Sequence, residues 1–312
     1  MRECSTTHPA ADGCPRFVYG WLPEGEVRAV MHIAHGMAEH AARYERLARE
    51  LVGMGIAVYA NDHRGHGRTI SEQWVQGHFA DEGGWATVVQ DLRDHIDRER
   101  ELHPGLPMLL LGHSMGSLIA QQFMYEHGEV IDAAILSGTN GRPPFIAKIG
   151  RLIARFERWR SGARGQSKLI ETMTFKDFNK KFKPNRTESD WLSRDEAEVD
   201  IYIADPLCGF MCTNQLWIDL LDATAVFTRK ENQARVPRAL PVYLFAGSRD
   251  PVGDDGASVR GLAEDYGKAG LTDVTLKIYE DARHETLNET NRDEVTKDLL
   301  TWVERVVSGH GA

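Results

Sequence analysis

The feature that most constrains the fold is a series of short, almost wholly apolar segments separated by amphipathic ones. The apolar segments span residues 28–35, 56–62, 107–113, 132–138, 241–247 and 274–280. Because they lack the alternation of a half-exposed strand, they predict strands covered on both faces, as in a parallel sheet. An earlier segment, 16–24, predicts an antiparallel edge strand that forms a hairpin with 28–35.

Segments with apolar residues at helical spacing lie between these strands, and most of them end at a glycine. They span residues 41–55, 85–105, 117–128, 256–270 and 291–309. Strands that alternate with helices predict an α/β domain with a doubly wound, mostly parallel sheet flanked by helices.

The alternation stops between about residues 140 and 238, where the sequence is mostly helical in character. We therefore predict an α/β core formed by residues 1–139 and 239–312. A helical cap, residues 140–238, is inserted after the fifth core strand. The segment 141–190 carries thirteen Lys and Arg against five acids, a net charge of +8, although the whole chain carries −9. Such asymmetry is typical of a separate structural unit.

The first predicted helix of the cap is amphipathic. Its apolar residues share one face and are Phe145, Ile146, Ile149, Leu152, Ile153, Phe156 and Trp159. Its basic residues fall largely on the other face and are Lys148, Arg151, Arg155 and Arg158. Three interpretations remain open: a solvated charged face above a core-facing apolar stripe, docking on an anionic membrane surface, or attraction of an anionic head group or fatty-acid carboxylate.

Composition also argues against several classes of partner and site. The chain is acidic and carries no aromatic–basic binding motif, so nucleic acid is not an expected partner. The sequence shows no long apolar span and no secretory h-region. Cys208 and Cys212 would form half of a metal site if they shared a helix, but no second Cys or His pair nearby completes it. We therefore expect no metal site, and free, reduced cysteines in a cytoplasmic protein.

The apolar segment 107–113 runs directly into Gly-His-Ser-Met-Gly and then into a helical segment. Gly-x-Ser-x-Gly between a strand and a helix is the pattern of a nucleophile elbow, a tight turn that lifts the serine hydroxyl clear of the sheet. Gly112 and Gly116 would be required because a Cβ at either position would collide with neighbouring backbone. Ser114 is therefore the candidate nucleophile. The alternative is an ordinary turn in which Ser114 caps the helix.

A nucleophilic serine needs a general base and an acid that orients it, and in this architecture the acid precedes the histidine. Asp250 follows the strand 241–247, and His284 follows the strand 274–280. Both therefore lie at carboxyl ends of strands, where an open α/β sheet collects its site. Asp281 is a rival acid, close to His284 in sequence but at the wrong place in the strand order.

The acyl oxyanion needs two backbone donors. The amide of Met115 follows the nucleophile directly. The loop HGMAEH, residues 35–40, supplies the amide of Met37 as the second candidate. The alternative for this loop is a plain strand-to-helix turn.

Five sequence blocks carry a family resemblance. In chain order they are HGMAEHAARYERLA, NDHRGHGRT, GHSMG, AGSRDPVG and DARHETLNE. Together they resemble the monoacylglycerol lipase and lysophospholipase group of α/β-hydrolases, over residues 16–308. The resemblance implies the α/β-hydrolase fold and a catalytic triad of Ser114, Asp250 and His284. It also implies an oxyanion hole formed by the two amides, and a cap that forms a lipid-accepting tunnel.

The resemblance extends to candidate substrate-binding residues and is incomplete there. Glu39 and Arg43 match the family's acidic and basic positions, although at i,i+4 they could instead form a helix ion pair. Leu287 stands where the mammalian enzymes of this group carry a histidine that lines the glycerol pocket. That departure weakens the assignment of glycerol as the head group.

The sequence thus predicts a serine hydrolase that cleaves carboxylic esters of single-chain lipids, of monoacylglycerol or lysophospholipid type, without a cofactor. We expect a cytoplasmic protein whose basic cap contacts the membrane surface peripherally. Two other enzymes of the same fold remain open, a short-chain carboxylesterase and a proline-type aminopeptidase, and the basic cap disfavours the cationic amine of a peptidase substrate. A non-catalytic binding protein of this fold is disfavoured because all three triad candidates are present.

Overall fold

The computed structural model describes residues 1–143 and 146–310, with Ile146 described by its backbone only. The strands are β1 (Arg2–Glu3), β2 (Thr6–Pro9), β3 (Pro15–Leu22), β4 (Ala29–Ala34), β5 (Ile56–Asn61), β6 (Met108–His113), β7 (Ala133–Ser137), β8 (Val242–Gly247) and β9 (Val274–Tyr279). The α-helices are α1 (Glu45–Gly53), α2 (Gly84–Leu102), α3 (Met115–His127), α4 (Ile146–Ser161), α5 (Lys168–Glu171), α6 (Asp177–Asn179), α7 (Glu196–Ala204), α8 (Asn214–Phe227), α9 (Lys230–Gln233), α10 (Ala257–Ala269) and α11 (Arg292–Gly309).

One sheet organises the molecule, in the strand order β1-β3-β5-β4-β6-β7-β8-β9, with β2 also paired to β3. Every pairing from β5 to β9 is parallel, whereas β1, β2 and β5 all pair with β3 in the antiparallel direction. The prediction of a mostly parallel sheet flanked by helices is therefore confirmed.

The predicted hairpin between 16–24 and 28–35 is wrong. Strand β3 pairs with β5, in the register Val18 to Asn61. Both edges of β4 are already taken, by β5 on one side and β6 on the other, so no edge of β4 is left for β3. The chain instead crosses the end of β5, where the amide of Arg28 donates to the carbonyl of Gly55 at 2.8 Å.

Two apolar layers enclose the sheet because successive strand residues point to opposite faces. One layer contains side chains of α2, α3 and α10 together with Leu110 and Leu136. The other contains side chains of α1 and α11 together with Leu109 and Ile135. Parallel strands covered on both faces in this way leave the carboxyl ends of the strands as one open edge, on which loops can assemble a site.

Helices α4 to α9 lie between β7 and β8, within the segment that the sequence assigns to the cap. Helix α8 packs against α2 and α3 of the core and against α4. Its buried residues Leu216 and Trp217 belong to the same apolar cluster as the helices on that face of the sheet. One side of α8 is thus part of the core, and α4 packs on another side of it.

The orientation of α4 overturns one interpretation of the sequence. Four residues of the predicted core-facing stripe are exposed, namely Ile149, Leu152, Phe156 and Trp159, of which Trp159 is 80% exposed. Arg151 instead turns toward α8, where it pairs with Asp222 at 2.8 Å and donates to the Leu221 carbonyl at 2.7 Å. Because α8 presents these acceptors, Arg151 turns toward it, whereas Lys148 and Arg155 stay exposed. The predicted positions of Phe145 and of the Ile146 side chain lie outside the described residues.

Candidate active site

Ser114 occupies a single-residue turn between β6 and α3. Its backbone has φ 50° and ψ −119°, a left-handed conformation that side-chain-bearing residues rarely adopt. Such strain persists only where the surrounding structure enforces it, and it is concentrated at functional sites. The turn places Ser114, which is partly exposed, at the carboxyl edge of the sheet.

The two glycines of the motif are dictated by close backbone contacts. A Cβ on Gly112 would lie 2.5 Å from the carbonyl oxygen of Gly116. A Cβ on Gly116 would lie 2.5 Å from the carbonyl oxygen of His35 and would overlap that of Ala34. Helix α3 therefore starts in direct contact with the end of β4, which only glycine permits.

His284 and Asp250 form a buried hydrogen-bonded pair. The Nδ1 proton of His284 is shared between the two carboxylate oxygens of Asp250, each 3.0 Å away. His284 is 2% exposed and Asp250 is 0% exposed. Burial alone would lower the pKa of His284, but the Asp250 carboxylate beside it raises the pKa above the ordinary value of a histidine. The pair thus stabilises a protonated imidazole, as a general base requires.

The histidine loop meets the elbow through His113 and Gly138. The rings of His113 and His284 lie 4.9 Å apart between centroids. A Cβ on Gly138 would lie 3.0 Å from His113 Cε1 and 3.1 Å from His284 Cε1. The His113 side chain makes a hydrogen bond through Nδ1 to the Ser137 hydroxyl at 3.2 Å. The structure therefore brings His284 to the edge of the sheet on which Ser114 stands.

The loop 35–40 also reaches this edge. A Cβ on Gly36 would lie 3.2 Å from the Cβ of Ser114, so the loop runs beside the serine. Ala38 has φ 54°, which marks the tight turn after Met37. Met115 is the first residue of α3, and the first amides of a helix have no intrahelical acceptor. Both predicted oxyanion donors therefore lie in segments that adjoin Ser114.

Glu39 and Arg43 are part of a larger ion network that the sequence did not reveal. Arg43 bonds to Glu39 at 2.6 Å and to both carboxylate oxygens of Glu285 at 2.7 and 2.6 Å. Glu39 also accepts from the Gly36 amide at 2.6 Å and from the Tyr44 hydroxyl at 2.9 Å. Burial would raise the pKa of Glu285, but Arg43 lowers it to about 2. The network connects the loop beside Ser114 to the residue that follows His284.

This arrangement is not the helix ion pair considered from the sequence, because Glu39 precedes the 3-10 turn Ala41–Tyr44. Glu39, Arg43 and Leu287 line one small pit, together with His113. None of the three triad candidates is among the residues that line the pit. Leu287 also packs against the apolar layer that contains α1 and α11. The three residues predicted to bind substrate therefore lie together, beside the serine–histidine edge.

Aromatic residues of the predicted cap cover His284. The Trp191 ring lies 5.0 Å from the His284 ring, between centroids. Phe175 and Phe178 pack on Trp191 at 5.7 and 5.4 Å, and Phe175 also contacts Trp217 at 5.8 Å. Sequence reasoning missed Trp191, because no local pattern places this tryptophan of the insert over a residue 93 positions away.

Hydrogen bonds to its backbone carbonyls hold the same segment against the histidine loop. The Glu285 amide donates to the Leu192 carbonyl at 2.8 Å. The Arg283 guanidinium donates to the Ser193 carbonyl at 3.0 Å and also to the Asp190 carbonyl. Residues 190–193 are therefore fixed to the loop that carries His284.

Chemically, this arrangement suits nucleophilic acyl transfer. A strained serine and a histidine whose pKa is raised by a buried carboxylate are parts that such a reaction needs, and the predicted oxyanion donors lie in the segments that adjoin the serine. The apolar ring of cap aromatics suits a substrate with an acyl chain.

Comparison with known proteins identifies the family. The family model described as serine aminopeptidase, S33, matches residues 25–291. The chain belongs to this family. It is 32% identical to human monoglyceride lipase, over 94% of this chain and 88% of that protein. It is 31% identical to the mouse enzyme of the same name, over 97% of this chain and 91% of that protein.

A solved structure of another relative has the same fold. It is the thermostable carboxyl esterase from Bacillus coagulans in complex with glycerol, with a TM-score of 0.91 and 26% identity over 98% of this chain and 99% of that one. These similarities confirm the predicted α/β-hydrolase fold and the predicted class of enzyme, a carboxylic-ester hydrolase. Within the part of the chain that the structure describes, no helix is long and apolar enough to cross a membrane.

Proposed function

We propose that this S33-family hydrolase cleaves monoacylglycerols into a fatty acid and glycerol, with Ser114 as nucleophile, His284 as base and Asp250 as the orienting acid. The observation that carries the proposal is the joint placement of the three residues. Ser114 sits in a strained turn at the edge of the sheet, and the buried His284–Asp250 pair lies at the same edge. Relatives named monoglyceride lipase support the substrate class.

In the proposed reaction Ser114 attacks the ester carbonyl while His284 accepts its proton. The amides of Met37 and Met115 donate to the oxyanion of the tetrahedral intermediate. His284 then gives the proton to the leaving glycerol, and the acyl-enzyme remains. Water activated by His284 hydrolyses the acyl-enzyme and releases the fatty acid. Asp250 holds the imidazole in the required tautomer and stabilises its charged form.

Fluorophosphonate labelling combined with product analysis tests this proposal. We expect the wild-type protein to be labelled at Ser114 and to release equal amounts of glycerol and fatty acid from a monoacylglycerol. Ser114→Ala should abolish both. Ser117→Ala removes another hydroxyl at the start of α3, one that donates to the Ser114 carbonyl, and it should retain the label. A labelled Ser114→Ala protein would contradict the assignment of the nucleophile.

The alternative substrate is a short-chain ester, favoured by the similarity to the carboxyl esterase from Bacillus coagulans. A series of monoacylglycerols and p-nitrophenyl esters of increasing chain length separates the two. A maximum of kcat/KM at long chains supports the lipase function, and a maximum at short chains supports the esterase. Release of an N-terminal proline from a peptide would favour the peptidase activity that the family description names.

Membrane docking through the cap is part of the proposed function. Helix α4 exposes Leu152, Phe156 and Trp159, and α5 exposes Leu169 nearby in the chain. An apolar helix face flanked by basic residues is suited to insertion at the surface of an anionic bilayer. We therefore propose that the apolar stripe makes the contact, with the basic residues beside it adding electrostatic attraction. This contact would bring the enzyme to a substrate that resides in membranes.

We also propose that residues 140–238 act as the cap and that residues 1–139 and 239–312 form the hydrolase core. The helices between β7 and β8 and the contact of Trp191 with His284 support this division. The proposed location is the cytoplasm, at the membrane surface during turnover. All four cysteines are free, as is typical of a reducing compartment.

A further inference from the structure

Three side chains of metal-binding types meet where the cap touches the loop 35–40. They are His40, Asp205 and Cys208, and their donor atoms all lie within 4.8 Å of one another. His40 Nε2 lies 2.8 Å from Asp205 Oδ2. Two ligands of a tetrahedral zinc ion lie roughly 3.3–3.6 Å apart, given bond lengths of about 2.0–2.3 Å. Side-chain adjustments of about an ångström would bring the three donors to one ion.

The local backbone already orients the two cap residues. Asp205 and Cys208 belong to a turn that follows α7, closed by the Cys208 amide donating to the Asp205 carbonyl at 3.0 Å. The Leu207 amide donates to Asp205 Oδ1 at 2.8 Å, so the other carboxylate oxygen is turned to His40. The Gly209 amide donates to the Ala38 carbonyl at 2.9 Å and holds the turn against the loop that carries His40.

Burial and charge both suit a bound cation. His40 is 8% exposed and Cys208 is 9% exposed, and the Asp205 side chain, 29% exposed, leaves an opening to solvent. A water molecule can enter there as the fourth ligand. Burial raises the pKa of the Cys208 thiol; Arg43 lowers it, and the carboxylates of Glu39, Asp205 and Glu285 raise it. His40 Nδ1 is buried and has no hydrogen-bond partner among the described residues.

We propose that His40, Asp205 and Cys208 bind one zinc ion, or another divalent transition metal with affinity for thiolate. Imidazole, carboxylate and thiolate are a ligand set suited to zinc. On binding, the Cys208 thiol releases its proton to solvent and the thiolate coordinates the ion. Because His40 lies three residues after Met37, the ion ties the loop beside Ser114 to the cap. This inference does not depend on the substrate proposed above.

The sequence singles out Cys208 with Cys212 and predicts no site, because no second Cys or His pair lies near them in the chain. Neither cysteine lies in a helix in the structure, since α7 ends at Ala204 and α8 begins at Asn214. The partner that the fold supplies, His40, is 168 positions from Cys208 along the chain. Cys212 is therefore a matched control, buried like Cys208 and four residues away.

Cobalt substitution tests the site without reference to activity. The full-length protein, stripped of metal with a chelator and kept reduced, is titrated with Co²⁺ while its absorption spectrum is recorded. We expect a near-ultraviolet band from sulfur-to-cobalt charge transfer, saturating at one equivalent and removed by added Zn²⁺. Zn²⁺ should also raise the Tm, because an ion that binds only the folded state stabilises it.

Variants then assign the ligands. Cys208→Ser should lose the band, and His40→Gln and Asp205→Asn should each weaken Zn²⁺ affinity at least tenfold, since even residues that only orient ligands are worth about 10–100-fold. Cys212→Ser should keep the band and the affinity. Absence of a band in the wild-type protein, or its survival in Cys208→Ser, would overturn the proposal. Near-ultraviolet circular dichroism of each variant shows that the fold is retained.

Discussion

Asp250 holds the Nδ1 proton of His284 between its two carboxylate oxygens, each 3.0 Å away. Both residues are almost completely buried. The carboxylate is what turns a buried histidine, whose pKa would otherwise fall, into one whose pKa is raised. The pair therefore sets the pH range in which the proposed base is neutral and able to accept a proton.

The raised pKa of His284 predicts the pH at which activity is lost in acid, the acid limb of the profile of kcat/KM against pH. Because the pKa of His284 lies above 6.5, kcat/KM for a soluble ester should fall as pH decreases through a value above 6.5. Asp250→Asn should lower kcat by about 10⁴-fold and move the limb to lower pH, since the charge that raises the pKa is removed. Asp281→Asn, at the exposed rival acid, should leave both unchanged. A limb that stays in place in Asp250→Asn would contradict this assignment.

Arg43 predicts a positioning effect on catalysis. It joins Glu39, which accepts from the Gly36 amide, to Glu285, which follows His284. Arg43→Met leaves two buried carboxylates without their cation, so we expect a lower kcat with a smaller change in KM, and a loss of about 3–5 kcal/mol in the free energy of unfolding. Arg43→Lys should recover part of the stability and less of kcat, because lysine cannot make the two parallel bonds to Glu285.

The matched control for Arg43 is Arg49→Met. Arg49 pairs with Glu45 at the surface, 59% exposed, and such pairs contribute about 0–1 kcal/mol. Equal kinetic effects of the Arg43 and Arg49 variants would show that the network does not position the site. Denaturant unfolding and steady-state kinetics on the same preparations provide both measurements.

Replacing Gly116 by alanine should destabilise the protein, whereas the same change at Gly261 should stabilise it. Gly116→Ala places a methyl group against the carbonyl oxygens of Ala34 and His35, so the Tm should fall by a shift equivalent to about 1–3 kcal/mol or more. Gly261→Ala, in the interior of α10, meets no atom within 4 Å and should stabilise the protein by about 0.5–1 kcal/mol. Calorimetry of the two variants checks both signs. A stable, active Gly116→Ala protein would refute the close contact.

Buried histidines near the elbow predict a loss of stability in acid. Burial lowers the pKa of His63 to about 3, and of His66 and His113 to about 4. In the unfolded chain histidines titrate near 6.5, so below that pH the unfolded state binds more protons than the folded one. The free energy of unfolding should therefore fall from pH 7 to pH 5, by up to about 1.4 kcal/mol per pH unit for each residue. Denaturant midpoints that do not change over this range would disprove the prediction.

The exposed stripe of α4 predicts how the protein binds membranes. Replacing Leu152 and Trp159 together by serine should lower the fraction that floats with anionic vesicles by more than about tenfold, because each side chain contributes about 1.5–3 kcal/mol when buried. Leu102→Ser, at an exposed leucine of α2, is the control and should bind normally. Flotation of the double variant at the wild-type level would contradict docking through α4.

The parallel strands and their helices could be predicted from the sequence because a buried parallel strand is a short, wholly apolar segment. The segment 107–113 is all apolar and ends in Gly-His-Ser-Met-Gly, and β6 and α3 begin and end within two residues of the predicted bounds. Strands β1 and β2 were missed because their residues are exposed and polar, and only their pairing with β3 makes them strands.

Some residues of the candidate site could be predicted from local motifs, and others could not. Ser114, Asp250 and His284 could be proposed from the sequence because each lies within five residues of the end of a strand. Glu285 and Trp191 could not be foreseen, since their roles depend on which loops the tertiary fold brings together. The prediction that the apolar stripe of α4 faces the core was wrong for a related reason. An amphipathic pattern identifies two faces, but only the tertiary fold shows that Arg151 pairs with Asp222 on α8 while Trp159 is exposed.

The arginines of α4 that pair with Asp222 matter to anyone who engineers this protein. Arg151 and Arg155 both meet Asp222, so the segment's excess of basic residues overstates the charge that its outer surface offers. Replacing one of these arginines to reduce nonspecific association during purification would weaken the contact between α4 and α8. Polar substitutions at Leu152 or Trp159 change the outer surface and leave that contact intact, which makes them the better choice for a preparation that must stay monodisperse at high concentration.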